Sequence, residues 1–343
     1  MAYSIIDVAK RAGISKSTVS RVINGGSVSE KAKTAVMTAI DEMEYRPNGL
    51  ARGLRGMKSK IVGVVTLGTN AFEDPSGACR FAGMNNIFLN SGYSMLLINP
   101  ITSSTESVPA NAFRYLQESR VDGLVFIGSI DSEQDRVIAQ KYRSFVYTGE
   151  RIDAKKGFRV YMGNYNYSRD LYSYLVSNGH SKILTVSSRS HSEFMIKRRL
   201  AAYKDVCGVF NIPYNISSFL SIFEASATDS EHLETIYDCF KNGNYTAIFT
   251  DTPELAHTII NYFTQRGLQL LKDYSIVCVE RSGGEAQSKE TLITGVCLPD
   301  YEYGQQCAML MLEVLNNPDL AIKDVIIPYS FNIRNSVRNI GKL

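Results

Sequence analysis

The stretch "VAKRAGISKSTVSRVING", Val8–Gly25, is polar and slightly basic, and it stands at the front of a 343-residue chain that is otherwise dense in β-branched apolar runs. Just ahead of it, Ser4 and Asp7 have the spacing of a capping box, with Asp in place of Glu. Val8, Ala9 and Ala12 then fall on one helical stripe, and Gly13 breaks the helix so that Ile14 can turn back into a core. Ser15 is a good N-cap for a second helix, Lys16 to about Ile23, whose Val19, Val22 and Ile23 face inward. Lys16, Ser17, Ser20 and Arg21 face outward, and Asn24-Gly25-Gly26 ends the helix. Ser29 caps a third helix, Glu30 to Met43, with Ala32, Val36, Ile40 and Met43 on its stripe.

Two short helices joined by a tight Gly turn, with a third packed on them, read as a helix-turn-helix. The second helix carries small polar and cationic side chains at its exposed N-terminal end. Those are the types that enter a major groove and bond to base edges. A generic three-helix bundle with a merely solvated face is the alternative. Charge favours the first reading. Residues 1–60 hold 11 Lys and Arg against 5 Asp and Glu, whereas the remainder holds 26 against 29. A basic head on a mildly acidic body is suited to meet a polyanion.

The next stretch is "YRPNGLARGLRGMKSK", residues 45–60. Pro47 stops the third helix and Asn48 can cap a short further one. Leu50 and Leu54 stand at i,i+4 with Arg52 and Arg55 beside them. Gly49 and Gly53 each cost about 1 kcal/mol relative to Ala, so the segment is mostly unfolded alone in water. It is either a helix that forms only when held or a flexible linker.

From Lys60 on, short apolar runs ("IVGVVTL", "SMLLIN", "DGLVFIG", "SFVYTG", "FRVYM", "KILTVS", "TAIFT", "SIVCV") alternate with amphipathic stretches. This predicts an α/β fold of parallel doubly wound sheets with helices on both faces. There are too many units for one convenient sheet. The reading divides the chain into a head at 1–46, a hinge at 47–59 and a two-lobed body at 60–343. Lobe 1 takes about 60–157 and 290–322, and lobe 2 about 158–289 and 323–343. A ligand site is expected in the crevice at the carboxyl ends of strands.

No motif of an enzyme is present: no GxxxxGK[ST], no GxSxG, no HExxH. The four histidines have no metal spacing, and no cofactor is expected. His180 at a helix end reads as a capping residue. Asp251, just past a strand, reads as a single acid without a partner. The six cysteines have no CxxC spacing and read as free thiols in a reducing cytoplasm. The start of the chain lacks a signal-peptide apolar region and no run is long enough to cross a bilayer, so a cytoplasmic protein without membrane contact is expected.

The head resembles the DNA-binding domain of the LacI/GalR family of bacterial transcription regulators, through "DVAKRAGIS", "STVSRVIN", Val28-Ser29, "YRPN" and "LARGL". The resemblance implies that Lys16, Ser17 and Arg21 read bases. It implies that Ser15, Thr18, Asn24, Ser29 and Tyr45 contact phosphates or cap helices. Leu54 falls on the family's minor-groove wedge, with Arg52 and Arg55 beside the groove. Gly53 departs from the small polar residue or alanine of the family pattern, Gly49 is a second weakening, and together they imply a hinge unusually dependent on DNA and dimer contacts.

The body resembles the same family more loosely, through "SNGHSKILTV", "RRLAAYKDV", "TAIFTDTPELA" and "DYSIVCVE". This implies a fold like periplasmic sugar-binding proteins, with Phe72, Glu150, Arg199, Thr252 and Glu280 at the effector. Carboxylates accept from vicinal hydroxyls, an arginine donates in a fork, and an aromatic covers a sugar ring. Each has an ordinary alternative. Arg199 could cap a helix or pair with Glu193, with Arg198 taking its role. Glu280 could belong to an interlobe salt bridge, and Phe72 to the core. Gly163-Asn164, Thr252-Pro253 and "NAFE" depart from the family, and Arg151, Arg189, Lys197, Arg198 and Arg281 permit an anionic ligand such as a sugar phosphate.

The expected whole is a homodimeric repressor of carbohydrate uptake or catabolism genes. It would bind a palindromic operator in double-stranded DNA and respond to a sugar or sugar-phosphate effector. The C-terminal "SVRNIGKL" has no leucine heptad, so no tetramer built on a helical tail is expected. A regulator controlled by a protein corepressor is the first rival, and an enzyme with a DNA-binding head the second.

Overall fold

The computed structural model describes residues 3–23, 26–45, 58–67, 75–98, 107–128, 137, 139–149, 157–188, 193–222, 230–282 and 292–341. The chain divides into two compact units, one of residues 1–60 with 115–122 and one of 61–114 with 123–343.

In the first unit, α1 (Ile5–Ala12), α2 (Lys16–Ile23) and α3 (Glu30–Glu42) enclose Val8, Ala9, Val19, Val36 and Ala39. Ile14, Val22, Ile40 and Tyr45 pack against that core. The capping box is complete: Asp7 N donates to Ser4, and Asp7 Oδ2 accepts from Ser4 N at 2.8 Å. Those bonds hold the Asp7 carboxyl below its ordinary range. Gly13 stands at φ +65°, where a side chain is strained, and Ile14 N returns to Ala9 O at 3.1 Å. Arg11 pairs with Glu42 at 2.6 Å, joining α1 to α3.

The second unit holds two six-stranded sheets. The strands are β1 (Ile61–Thr66), β2 (Ser94–Ile98), β3 (Gly123–Ile127), β4 (Phe145–Thr148), β5 (Phe158–Met162), β6 (Ile183–Ser188), β7 (Phe219–Ile222), β8 (Ala247–Thr250), β9 (Ser275–Ser282), β10 (Thr294–Pro299), β11 (Asp324–Ile327) and β12 (Ser330–Asn332). The first sheet runs β11-β5-β4-β3-β1-β2, all parallel. The second runs β12-β10-β9-β8-β6-β7, parallel except for the β10–β12 pair. The described helices are α4 (Pro75–Asn90), α5 (Val108–Gln117), α6 (Asn164–Ser177), α7 (Glu193–Val209), α8 (Ser230–Asn242), α9 (Pro253–Gln265) and α10 (Asp300–Asn316). Central strands are buried along their length, as in Val62, Val64, Leu124, Val146, Ile248 and Val277, which is why they read as continuous apolar runs.

The sheets do not divide where the sequence reading placed the boundary. β5 pairs with β4 (Val146↔Phe158) and with β11 (Asp324↔Arg159), so residues 158–162 and 324–327 belong to the first sheet, not to lobe 2. β10 pairs with β9 (Thr294↔Val277), so 294–299 belongs to the second sheet, not to lobe 1. Each lobe takes its last strands from beyond the other lobe's sequence. The sequence reading also gave each lobe two segments, but it placed each crossing one strand too early, ahead of β5, β10 and β11.

The chain therefore passes between lobes around Gly163, at Pro299–Asp300 and at Pro328–Tyr329. After the second passage α10 packs against α4 with almost no separation. A Cβ on Gly83 would lie 2.1 Å from Tyr301 O, and one on Gly304 would lie 2.0 Å from Arg80 O. Beyond β12 the segment to residue 341 straps the second sheet: Ile276 N donates to Ser336 O at 2.9 Å, and Ile340 N to Asn178 O at 3.0 Å.

Candidate DNA-reading head and carboxyl-edge site

On α2 the side chains of Lys16, Ser17 and Arg21 are exposed, while Val19 is wholly buried on the opposite face. Ser15 caps the helix: Thr18 N donates to its Oγ at 3.2 Å. The Ser15 hydroxyl also lies 2.8 Å from Ser17 Oγ and 2.9 Å from Thr18 Oγ1. The N-terminal turn of α2 thus presents three hydroxyls beside Lys16, in front of amides not spent within the helix, which is a surface suited to phosphate oxygens. Ser29 is exposed and caps α3 through Ala32 N at 3.3 Å. Tyr45 is half-buried against the head's core. Asn24 and the hinge residues Arg52, Leu54 and Arg55 lie outside the described residues.

In the body, the carboxyl ends of β6, β8 and β9 stand side by side. Ser187 is in β6, Asp251 follows β8, and Glu280 and Arg281 are near the end of β9. Arg199 reaches this edge from α7 and is buried. Its Nη1 donates to Asp251 Oδ1 and, at 3.1 Å, to Ser187 Oγ, which in turn donates to Asp251 Oδ2 at 2.6 Å. The guanidinium carbon sits 5.0 Å from the centre of the Phe249 ring. Arg199 Nε is buried with no hydrogen-bond partner among the described residues. Asp251 is thus no solitary acid: it neutralises Arg199, a pairing the sequence reading did not foresee.

The other expected effector residues stand apart from this trio. Thr252 caps α9, its hydroxyl accepting from Leu255 N at 3.2 Å. Glu280 is held by Arg334, which also donates to Ile293 O at 2.7 Å. That is a salt bridge inside the second lobe rather than between lobes. Arg198 lies over the Tyr165 ring at 4.9 Å. Phe72 and Glu150 lie outside the described residues. A further cluster does join the lobes: Asp300, fully buried, accepts from Arg80 Nε of α4 at 2.7 Å and from Arg281 Nη1 of β9 at 3.1 Å.

His180 is no cap. It is buried, with Nδ1 2.9 Å from Thr246 Oγ1 and Nε2 3.1 Å from Arg338 O. Burial is the main cause that pushes its pKa down to about 4. All six cysteines are free thiols, and Cys307 is pushed up to about 12 by burial. No group of metal-ligating side chains occurs among the described residues, and no described helix is long and apolar enough to cross a membrane.

A helix-turn-helix head joined to a two-sheet α/β body defines a class of DNA-binding transcription regulators, and comparison with known proteins agrees. Residues 4–48 match the model of bacterial regulatory proteins of the lacI family, and residues 172–337 match a periplasmic binding protein-like domain. Catabolite control protein A of Streptococcus mutans is 26% identical over 338 residues, covering 98% of each chain. The HTH-type transcriptional repressor PurR of Aliivibrio fischeri is 25% identical over 319 residues, covering 92% of this chain and 93% of its own. A lac repressor dimer bound to operator and the anti-inducer ONPF superposes with a TM-score of 0.78 at 21% identity, over 98% of this chain and all of that one. The head is a lacI-family DNA-binding domain, the relatives along the whole chain are LacI-family regulators, and the chain is a DNA-binding transcription regulator rather than an enzyme.

Proposed function

We propose that this chain is a homodimeric repressor of carbohydrate uptake or catabolism genes, acting in the cytoplasm on a palindromic operator and switched by a sugar or sugar phosphate between its lobes. The observation that carries the DNA half is the exposed row Lys16, Ser17 and Arg21 on a helix whose other face is core. Ser15, Thr18, Asn24, Ser29 and Tyr45 would fix the head on the backbone, and Leu54 with Arg52 and Arg55 would occupy the minor groove.

The effector half rests on Arg199, a buried guanidinium at the carboxyl edge with an unspent Nε–H. Its Asp251 partner leaves it electrically neutral, so it can donate to a hydroxyl without demanding an anion. Thr252 keeps a hydroxyl proton to donate beyond its capping role. Glu280 would need to leave Arg334 to accept from a ligand. Phe72 and Glu150 complete the proposed set. The effector acts only through its different affinity for the two lobe arrangements.

The test is fluorescence anisotropy of a labelled duplex from upstream of the protein's own gene, titrated with the chain and then with matched neutral sugars and their phosphates. Release by one compound, abolished in Arg199→Met, supports the reading. Tight binding that no small molecule changes moves the switch to a protein corepressor.

A further inference from the structure

Between Asp205 and Glu224 the chain carries no charged residue, although charged residues make up 21% of it. The stretch runs from the end of α7 through an exposed turn into β7. Its apolar side chains do not all point inward. Val209, the last residue of α7, is 76% exposed and Ile216 is 63% exposed, and Phe210 and Tyr214 are each more than a third exposed. Neutral Asn211, Asn215 and Ser217 are exposed between them.

The turn that presents these side chains is fixed. The amide of buried Ile212 donates to Cys207 O at 3.0 Å, and Asn211 takes the left-handed conformation at φ +55°, which asparagine adopts readily. The Tyr214 ring lies 5.6 Å from that of buried Tyr203. Ser217 N donates to Asn215 Oδ1 at 2.9 Å, and Ser218 Oγ donates to Asn215 O at 2.6 Å. A surface held this way loses little conformational freedom when it is covered. It lies ahead of β7, whose pairing with β6 starts at Thr185↔Phe219. That is the amino-terminal end of the second sheet, whereas Arg199 sits at the carboxyl edge. Covering the patch therefore leaves the proposed effector site open.

Charge and area say what covers it. A strongly acidic or basic partner would bury its charges against a surface that has nothing to pair them. The complement of a neutral apolar patch is another one, and a second copy of this chain brings it across a two-fold axis. The four apolar side chains offer roughly 300–400 Å² per copy, about half of what a stable stand-alone interface buries on each side. The contact is thus too small to hold two isolated chains and large enough to add to another.

We propose that residues 209–216 form a second, weaker contact between copies of this chain, one that joins two dimers and is separate from the contact within a dimer. The inference rests on the homodimer reading above. Two dimers bound close together on one duplex meet at a raised effective concentration, so a contact of this size acts there first.

The test is analytical ultracentrifugation of the full-length chain from about 1 to about 200 μM. Wild type is compared with Val209→Lys, Ile216→Lys and a control, Ile333→Lys, and thermal unfolding is recorded for each. Ile333 is an equally exposed apolar residue, 66% accessible, that follows β12 at the other edge of the second sheet. We expect wild type and control to pass from the mass of two chains to that of four, with a midpoint on the order of 10–100 μM. Each patch variant should move that midpoint up by about tenfold or more, with the two-chain species and the unfolding temperature unchanged. If a lysine variant unfolds, Val209→Ser and Ile216→Ser are read in its place. A wild type that stays at two chains throughout overturns this inference and leaves the homodimer reading standing, whereas one that stays at one chain overturns both. Patch variants that still double in mass, patch variants that lose the two-chain species while folded, or a control that loses the four-chain species equally, each overturn the inference as well.

Discussion

His180 gives the structure's most quantitative consequence. Its ring is shut between Thr246 and the C-terminal strap, with Nε2–H donating to Arg338 O and Nδ1 accepting from the Thr246 hydroxyl. Burial is the first cause of its pKa of about 4, against an ordinary 6.5, and the Arg338 guanidinium adds to it. Folded His180 therefore stays neutral where the unfolded chain has already taken up a proton. The sign follows from linkage: the unfolded state binds more protons between pH 6.5 and 4, so the stability held above pH 6.5 is lost as pH falls through that window. The full gap is worth about 3 kcal/mol, and about 2 kcal/mol of it is gone by pH 5. His180→Gln keeps one donor and one acceptor but cannot titrate. Urea unfolding at pH 7.5 and pH 5.0, with exchange of the Ile276 amide as a reporter on the strap, should show wild type losing about 2 kcal/mol more than the variant. Equal losses in the two proteins would refute the assignment of a buried, neutral His180.

Arg21→Ala should leave the head folded, because the side chain is exposed, while weakening the selected duplex by about 1–3 kcal/mol in anisotropy titrations and relaxing preference at one base position. Ser4→Ala removes the hydroxyl that accepts from Asp7 N and donates to Asp7 Oδ2, leaving only the Ser4 N half of the α1 capping box, and should cost the head about 1 kcal/mol, read as a lower melting temperature of the helical far-UV signal. Gly304→Ala drives a Cβ toward Arg80 O, so α4 and α10 must separate; calorimetry should record a destabilisation of about 1–3 kcal/mol or more. Asp300→Asn leaves Arg80 and Arg281 against a neutral amide and should destabilise by about 3–5 kcal/mol; a double variant with Arg281→Met should lose little further, because both changes cut the same link.

The head was legible almost to the residue because everything that shapes it is local. Ser4 with Asp7, Gly13, Ser15 and Ser29 each act within four positions of their partners, and all of them do in the structure what their spacing implies. The alternation of the body revealed two parallel sheets for the same reason. What the sequence could not reveal was which strand goes to which sheet. β5, β10 and β11 are ordinary apolar segments whose sheet is chosen by partners more than a hundred residues away for β11, and by packing of α10 against α4 in between. The site residues divide likewise. Thr252-Pro253 has the local form of an N-cap and becomes one. The pairs Arg199–Asp251 and Arg334–Glu280 join positions 52 and 54 apart, and no spacing rule reaches across that distance. The only signal for Asp251 was its place just beyond a strand.

Those pairings change how the basic residues of the body are to be weighed when a phosphate is considered as effector. Arg199 is matched by Asp251 and Arg334 by Glu280. Arg198 lies on Tyr165, whose hydroxyl is bound to Asp205. None of the three is an uncommitted cation waiting for an anion. At Asp300 one buried carboxylate is shared by Arg80 and Arg281 at the junction of the lobes. Arg151 and Arg189 lie outside the described residues. Under the proposed reading, a neutral polyol would bind the Arg199 edge through its buried Nε–H without displacing an ion pair. Under the same proposed reading, a phosphate that drew on Arg80 and Arg281 would compete with the Asp300 carboxylate that ties α4 to β9. The two proposed chemistries would therefore differ in mechanics: a neutral sugar would add a contact on one lobe, an anion would exchange partners in the link between them, and Asp300→Asn would separate the two by weakening that link beforehand.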